Sequence, residues 1–251
     1  MSSGYFFIAR FAGRLQKVYK RILLKISGEQ LSGRHDVGID PEVARYLAQE
    51  VKQAFELGCS IAVIVGGGNM VRGEKVAGNG IRRVTADQMG MLSGLMNAMA
   101  LTDIFEHSKI STRCLSQIIA DQVAEPYSYR RAMKHMRHNH VVIIAGGIAR
   151  PFFTHDTAAV SHALELECDV MLKATKVDGV YDKDPAKHKN SKLIHSLTFQ
   201  EAIENTNIAV MDKAALGLAM EHKMPVVVFN PFKKGNLQKI VSGEHVGTII
   251  S

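Results

Sequence analysis

Three stretches of the chain place glycine and a basic side chain where an apolar run gives way to a turn, a combination suited to gripping phosphate. In Lys25-Ile26-Ser27-Gly28 a lysine stands near the end of the run 21–26, beside a hydroxyl and a glycine. Its ammonium can point into the crevice where α/β folds bind ligands. A solvated strand-end lysine is the competing reading. Gly66-Gly67-Gly68-Asn69 follows the run 61–65, with Arg72 close behind. Backbone without side chains brings N–H groups against phosphate oxygens, although a tight strand-to-helix turn would use the same glycines. The third stretch runs from Lys173 through Thr175, Asp178-Gly179, Tyr181 and Asp184 to Pro185. Asp-Gly signals a turn, and Tyr181 is placed to lie along a base or ribose. The plainer reading of this stretch is a solvated charged loop.

Two familiar nucleotide motifs do not fit. Val71 stands where G-x-G-x-x-G needs its last glycine, and Glu74 stands where the P-loop needs its lysine. A net charge of +7, from 31 Lys and Arg against 24 Asp and Glu, favours a phosphate-bearing ligand without choosing between nucleotide and nucleic acid. No helix-turn-helix pattern or aromatic-studded RNA-binding strand is present, so nucleic acid is not expected. Cys59, Cys114 and Cys168 are odd in number and far apart. They support neither a disulfide framework nor a metal motif, and they point to a reducing, cytoplasmic compartment. No residue is assigned as a metal ligand. No apolar run approaches the roughly 18 residues of a membrane span.

The elements that must position these residues follow from the pattern of the 251 residues, 46% of them hydrophobic. Unalternating apolar runs at 21–26, 61–65, 141–145, 170–173, 226–229 and 248–250 predict strands, separated by segments of helical period. That alternation is the mark of an α/β fold with a mostly parallel sheet. Asp40 caps a helix with Pro41 first, Val43, Leu47, Val51 and Phe55 on one face, and Gly58 just past its end. A long helix after Thr85 is expected to carry Met89, Leu92, Met96 and Met99 inward. Gly90, Gly94 and Ala98 form a second, small-residue face, open either to packing within the chain or to a partner subunit. Asp156 or Thr157 is expected to cap the helix before 170, and Thr198 to Glu201 reads as a capping box. No linker divides the chain. Residues 1–17, basic with scattered aromatics but without a cleavage site, read as a frayed or loosely packed N-terminal extension ahead of a single two-lobed domain at 18–251.

Taken together, the stretches 18–29, 66–73, 83–92, 151–159 and 172–185 resemble the bacterial uridylate kinases of the amino acid kinase family, over about 18–250 of the chain. The resemblance implies an αβα sandwich around a mostly parallel central sheet, the amino acid kinase fold, with an N-terminal acceptor lobe and a C-terminal ATP lobe. It implies transfer of the γ-phosphoryl group of ATP to UMP, with Mg²⁺, a hexameric homo-oligomer, GTP as activator and UTP as inhibitor. By position, Lys25, Ile26, Ser27, Gly28, Gly68, Arg72, Thr175, Tyr181 and Asp184 would contact ATP. Gly67, Asp87, Ile148, Ala149, Arg150, Pro151, Phe152, Phe153, Thr154 and His155 would hold UMP. Lys25, Arg72 and Asp156 would be catalytic, with Asp156 orienting Lys25 or a metal-bound water, since the attacking phosphate oxygen is already ionised. Asp87 would meet the ribose hydroxyls, or serve only the helix dipole. Where the family reads Gly-Thr-Gly-Asn-Pro-Phe-Phe-Thr-Thr-Asp, this chain has Gly147-Ile148-Ala149-Arg150-Pro151-Phe152-Phe153-Thr154-His155-Asp156. A hydroxyl, a glycine and an amide are lost, and Arg150 offers a guanidinium in return. The region 33–38, like the family's GTP site in position, lacks distinctive residues. The alternatives are a family member acting on a carboxylate or carbamate, for which Asp87 would have no ribose, and a non-catalytic nucleotide sensor.

Overall fold

The computed structural model describes residues 8–11, 14–17, 19–78, 80–205 and 210–251. Its unalternating apolar runs form the middle of a sheet. Arg21–Ile26, Ser60–Val65, Val141–Ala145 and Val170–Ala174 are parallel neighbours, and every residue of Val141–Ala145 is buried. Strands covered on both faces have no polar face to alternate with. Among the described residues the sheet has nine strands, in the order Ser196–Leu197, Thr248–Ile250, Val226–Phe229, Val170–Ala174, Arg21–Ile26, Ser60–Val65, Val141–Ala145, Thr112–Ser116 and Glu125–Pro126. Among the described strands of this sheet, only Val226–Phe229 against Thr248–Ile250 is antiparallel.

Alternation along Arg21–Ile26 assigns the two helical layers. Ile22, Leu24 and Ile26 pack with the helices Pro41–Glu56, Arg83–His107 and Asn236–Val241. Leu23 faces the other way, toward Tyr129–Arg137, His155–Glu165 and Lys213–Glu221. The result is the expected αβα sandwich. Lys25 shares Leu23's parity, and so it emerges on the side of the helix that carries Asp156. Local signals hold where they are self-contained. Asp40 caps Pro41–Glu56 by accepting from the Glu42 amide at 2.9 Å, Gly58 beyond its end has φ +83, and Thr198 with Glu201 makes the capping box.

Two expectations are overturned. The helix His155–Glu165 is capped by neither Asp156 nor Thr157. Thr154 does it, its hydroxyl oxygen accepting from the amides of Asp156 at 3.0 Å and Thr157 at 3.4 Å. A threonine one position before the helix can reach back to both orphan amides, whereas residues already inside the first turn cannot.

The long helix Arg83–His107 is also turned over. Leu92, Met96 and Met99 are exposed at 49%, 54% and 37%, Met89 is half-buried, and the buried face is Ala86, Met91, Ser93, Gly94, Leu95, Asn97, Ala98, Leu101 and Phe105. The small-residue face packs within the chain. A side chain on Gly67 would strike the Gly90 carbonyl at 2.4 Å and the Gly94 amide at 2.7 Å, so only glycine lets the loop and the helix meet. Ahead of the domain, Ile8–Phe11 pairs antiparallel with Arg14–Lys17 in a separate two-stranded ribbon. Residues 1–7 and 12–13 of the expected extension lie outside the described residues.

Candidate active site

The register of the two central strands sets Lys25 directly beside Lys173. Both side chains rise from the same face, and one carboxylate serves both. Asp156 Oδ2 accepts from Lys173 Nζ at 2.5 Å, and Asp156 Oδ1 lies 3.0 Å from Lys25 Nζ. The second contact is an ion pair without an aligned hydrogen bond, so Oδ1 is buried and still open to a further donor. Burial alone would raise the Asp156 carboxyl, but the ammonium groups of Lys25 and Lys173 override it and hold the group below the usual carboxylate range. Burial lowers Lys173, which also donates to the carbonyl of Val210.

Two helix N-termini converge on this centre. Asp212 caps Lys213–Glu221 by accepting from the Ala215 amide at 2.9 Å, and the same carboxylate accepts from the hydroxyls of Thr154 at 2.5 Å and Thr157 at 2.9 Å. The positive ends of two helices therefore face the lysines' neighbourhood, a setting that favours anions.

A continuous groove passes over the lysine pair. At one end a cleft of about 440 Å³ is lined by Thr175, Val177, Tyr181, Lys183, Asp184 and Val210, with Lys173 at its inner edge. A second hollow carries on from Lys173 and Thr175 to Lys25 and Ser27. A third runs from Lys25 and Asp156 past Gly66, Gly67 and Gly68 to Thr154 and His155. The far end is a cleft of about 400 Å³ walled by Gly67, Gly68, Arg72, Lys75, Asp87 and Phe153. Of the residues expected to contact ATP, Lys25, Ser27, Gly28, Gly68, Thr175, Tyr181 and Asp184 lie on the first three hollows. Ile26 is wholly buried in the opposite hydrophobic layer and has only backbone to offer. Arg72 stands instead in the far cleft, paired with Glu29. Gly28 is needed for close approach, since a Cβ there would lie 2.5 Å from the Gly66 carbonyl oxygen.

The segment expected to hold UMP divides. Phe153, Thr154 and His155 line the far cleft, while Ile148 turns into the hydrophobic layer beneath. The hydroxyl lost at that position is thus replaced by core packing. Arg150 and Phe152 are exposed, and Ile148, Ala149, Arg150, Pro151 and Phe152 stand outside the wall just described. Asp87 accepts from Arg83 Nε at 2.8 Å and from the Phe152 amide at 2.9 Å, so it ties the long helix to this loop. His155 wedges between glycines: Nε2 would sit 3.4 Å from a Cβ on Gly94, and the atom is buried without a hydrogen-bond partner. Burial, with the charge of Lys25 added, lowers its pKa from 6.5 to about 4.

Sequence reasoning named Lys173 and Asn69 within candidate stretches without giving either a contact, and it did not reach Asp212 or Asn97. Asn97 is fully buried and donates to the Gly66 carbonyl at 2.7 Å and to Asn69 Oδ1 at 2.6 Å. Asn69 in turn donates to the Gly38 carbonyl at 2.7 Å. This pair fastens the glycine loop from behind. Lys173 had the same signal as Lys25, a lysine near the end of a buried strand.

The arrangement agrees with known proteins. A solved UMP kinase from Bacillus anthracis superposes with a TM-score of 0.89 at 35% identity, over 94% of this chain and 97% of that one. The UMP kinase from Ureaplasma parvum gives 0.85 at 31% identity, over 92% and 98%. The uridylate kinase from Archaeoglobus fulgidus gives 0.71 at 27%, over 92% and 99%. The description of the amino acid kinase family matches residues 20–230, a span that contains both lysine strands and both clefts. A lysine pair on adjacent parallel strands, a glycine loop facing it and a matching family description over most of the length converge on one conclusion: this chain belongs to the amino acid kinase family.

Proposed function

We propose that the protein is a UMP kinase, transferring the γ-phosphoryl group of ATP to UMP to give UDP. The observation that carries this reading is the unbroken groove, with Lys25 and Lys173 midway between two nucleotide-sized clefts. ATP lies with its base toward Tyr181 and its phosphates toward Lys25, Ser27, Gly28 and Lys173. UMP lies between Asp87 and Arg72, its phosphate against the backbone of Gly67 and Gly68. Its ribose shares Asp87 with the Phe152 amide, and Thr154 and His155 close the phosphate end. Both reacting groups are anionic, so catalysis is in-line positioning together with neutralisation of the transferring oxygens. Lys25, Lys173, Arg72 and the two helix N-termini supply that positive charge. Asp156 holds the lysines in place. No general base is required, because the attacking oxygen is already ionised.

Mg²⁺ fits this chain as an ion carried by the nucleotide. Among the described residues no cluster of three or more acidic, histidine or cysteine groups gathers to cage a metal, yet the Asp156 carboxylate on the wall of the hollow beside Lys25 is a hard oxygen ligand. Such sites hold Mg²⁺ through phosphates and waters with one or two carboxylates. When bound, the ion would neutralise charge on the donor phosphates.

The same reading includes a homo-oligomer, a hexamer by resemblance, with the exposed Leu92, Met96 and Met99 stripe available for contact. GTP activation and UTP inhibition rest on the resemblance alone, and the single domain at 18–251 rests on a sequence that no linker divides. A cytoplasmic setting accords with three free cysteines. Burial pushes the Cys59 thiol up to about 12 and the Cys114 thiol to about 11, which leaves them unreactive. Among the described residues no helix is long and apolar enough to cross a membrane.

The test is a coupled ADP-release assay with UMP, CMP, dTMP, acetylglutamate and aspartate as acceptors. Turnover is expected with UMP far above the others. Turnover with a carboxylate alone, or none with any acceptor, overturns the proposal.

A further inference from the structure

After the strand Val141–Ala145 the chain makes a costly turn. Gly146, Gly147, Ala149 and Phe152 all have positive φ, at +79, +59, +53 and +70, and two of the four carry side chains that disfavour this region. Such a conformation persists only where its surroundings over-determine it. Two of the restraints are within the site: the Ala149 amide donates to the Gly146 carbonyl at 2.9 Å, and the Phe152 amide donates to Asp87. The third comes from below, where His162 Nε2 lies 3.0 Å from the Gly147 carbonyl oxygen.

His162 is wholly buried in the helix His155–Glu165. A carbonyl oxygen can only accept, so Nε2 carries a proton and donates. The other ring nitrogen, Nδ1, faces Tyr127 Oη at 3.2 Å and Glu165 Oε2 at 3.3 Å, and Tyr127 donates to the same Glu165 oxygen at 2.6 Å. The Tyr127 ring also leans on the imidazole, with centroids 4.8 Å apart. The imidazole is therefore fixed at both nitrogens and on one face, its Nε2 aimed at one atom of the acceptor loop. A leucine would fill this layer without the cost of burying a polar ring. Nε2 is committed to the Gly147 carbonyl, and Nδ1 lies against the oxygens of Tyr127 and Glu165.

We infer that Tyr127, His162 and Glu165 form a bracket behind the acceptor loop, in which His162 is a positioning residue. By holding the Gly147 carbonyl it fixes the course of residues 148–155 and sets how well the acceptor nucleotide is held and told apart from its analogues. None of the three lines either cleft. The inference rests on the proposed UMP kinase activity for the identity of the acceptor.

The experiment compares the unmodified protein with His162→Phe, His162→Gln and Glu165→Gln, using steady-state kinetics, thermal melting and amide hydrogen exchange. His162→Phe removes the donor and is expected to raise KM for UMP about tenfold, the scale of one lost hydrogen bond. KM for ATP stays within about twofold, and the preference for UMP over CMP falls. His162→Gln keeps an N–H donor and restores part of the loss. Glu165→Gln, at an exposed position, keeps the fold and gives a smaller shift of the same sign. Peptides covering 146–153 exchange faster in His162→Phe, and those around Thr175 do not. Equal changes in both KM values, a lowered melting temperature with unchanged kinetics, or unaltered exchange at 146–153 overturns the bracket. Lack of UMP turnover in the unmodified protein overturns the proposed function instead, and the exchange measurement still decides the bracket.

Discussion

Asp156 stands between two ammonium groups, and its loss or theirs should read out differently. Lys25→Ala removes a cation from the path of the transferring phosphoryl group while Lys173 still neutralises the carboxylate. The expected result is a fall in kcat of about 10²-fold or more, with melting temperature little changed; near-normal kcat in a folded variant refutes the role. His155 gives a prediction in pH. Its folded pKa is about 4 against an ordinary 6.5, so both states are neutral above 6.5. Below that value the unfolded chain takes up a proton that the folded chain refuses. Stability is therefore lost as pH falls from 6.5 toward 4, by about 3 kcal/mol at the lower end. Asp156, lowered from 3.8, contributes its own loss only at still lower pH. Denaturant titrations at pH 7 and 4.5 should show a smaller difference for His155→Gln than for the unmodified chain, and equal differences count against a buried neutral imidazole. Lys25 was legible in the sequence because its glycine turn follows at once. Lys173 carries the same chemistry, but its partner lies 148 positions away, and only the parallel register brings the two together.

The long helix shows where periodicity stops being informative. Arg83–His107 is apolar or small almost all round, so the 3.6-residue period offers two faces and no means of choosing. The choice was made by a distant contact, the approach of Gly67 to Gly90 and Gly94. The bulky stripe was accordingly left outside. Strands buried on both faces, by contrast, announce themselves by lack of alternation, and caps such as Asp40 and Thr198 are decided within a few residues. A substitution on each face of the helix separates their roles. A Cβ at Gly94 already meets the Val65 carbonyl oxygen at 3.2 Å and His155 Nε2 at 3.4 Å. Gly94→Leu should thus lower stability by about 1–3 kcal/mol and weaken UMP binding without changing the molecular mass in solution. Met96→Asp should leave the monomer's fold intact and reduce the mass seen by light scattering. An unmodified chain that scatters as 27.6 kDa contradicts the oligomer.

Across the whole molecule, the layered class and six strands of the sheet were readable from the sequence, whereas Thr112–Ser116, Glu125–Pro126, Ser196–Leu197 and the strand order were not. Nothing local to the run 21–26 reveals that it lies between 60–65 and 170–174. That placement nonetheless decides the site, since it sets one lysine from the first strand of the sheet beside one from the second half of the chain. A consequence concerns motion. Their spacing is fixed by the ladder of hydrogen bonds between two central strands and not by any loop or helix that must open to admit nucleotides. Elements that let ligands in are drawn from the least stable parts of a fold, and central strands from the most stable. The backbone positions of Lys25 and Lys173 depend on that ladder alone. The pair is rooted in the least deformable part of the fold, so whatever shifts to admit a ligand leaves the separation of their Cα atoms unchanged.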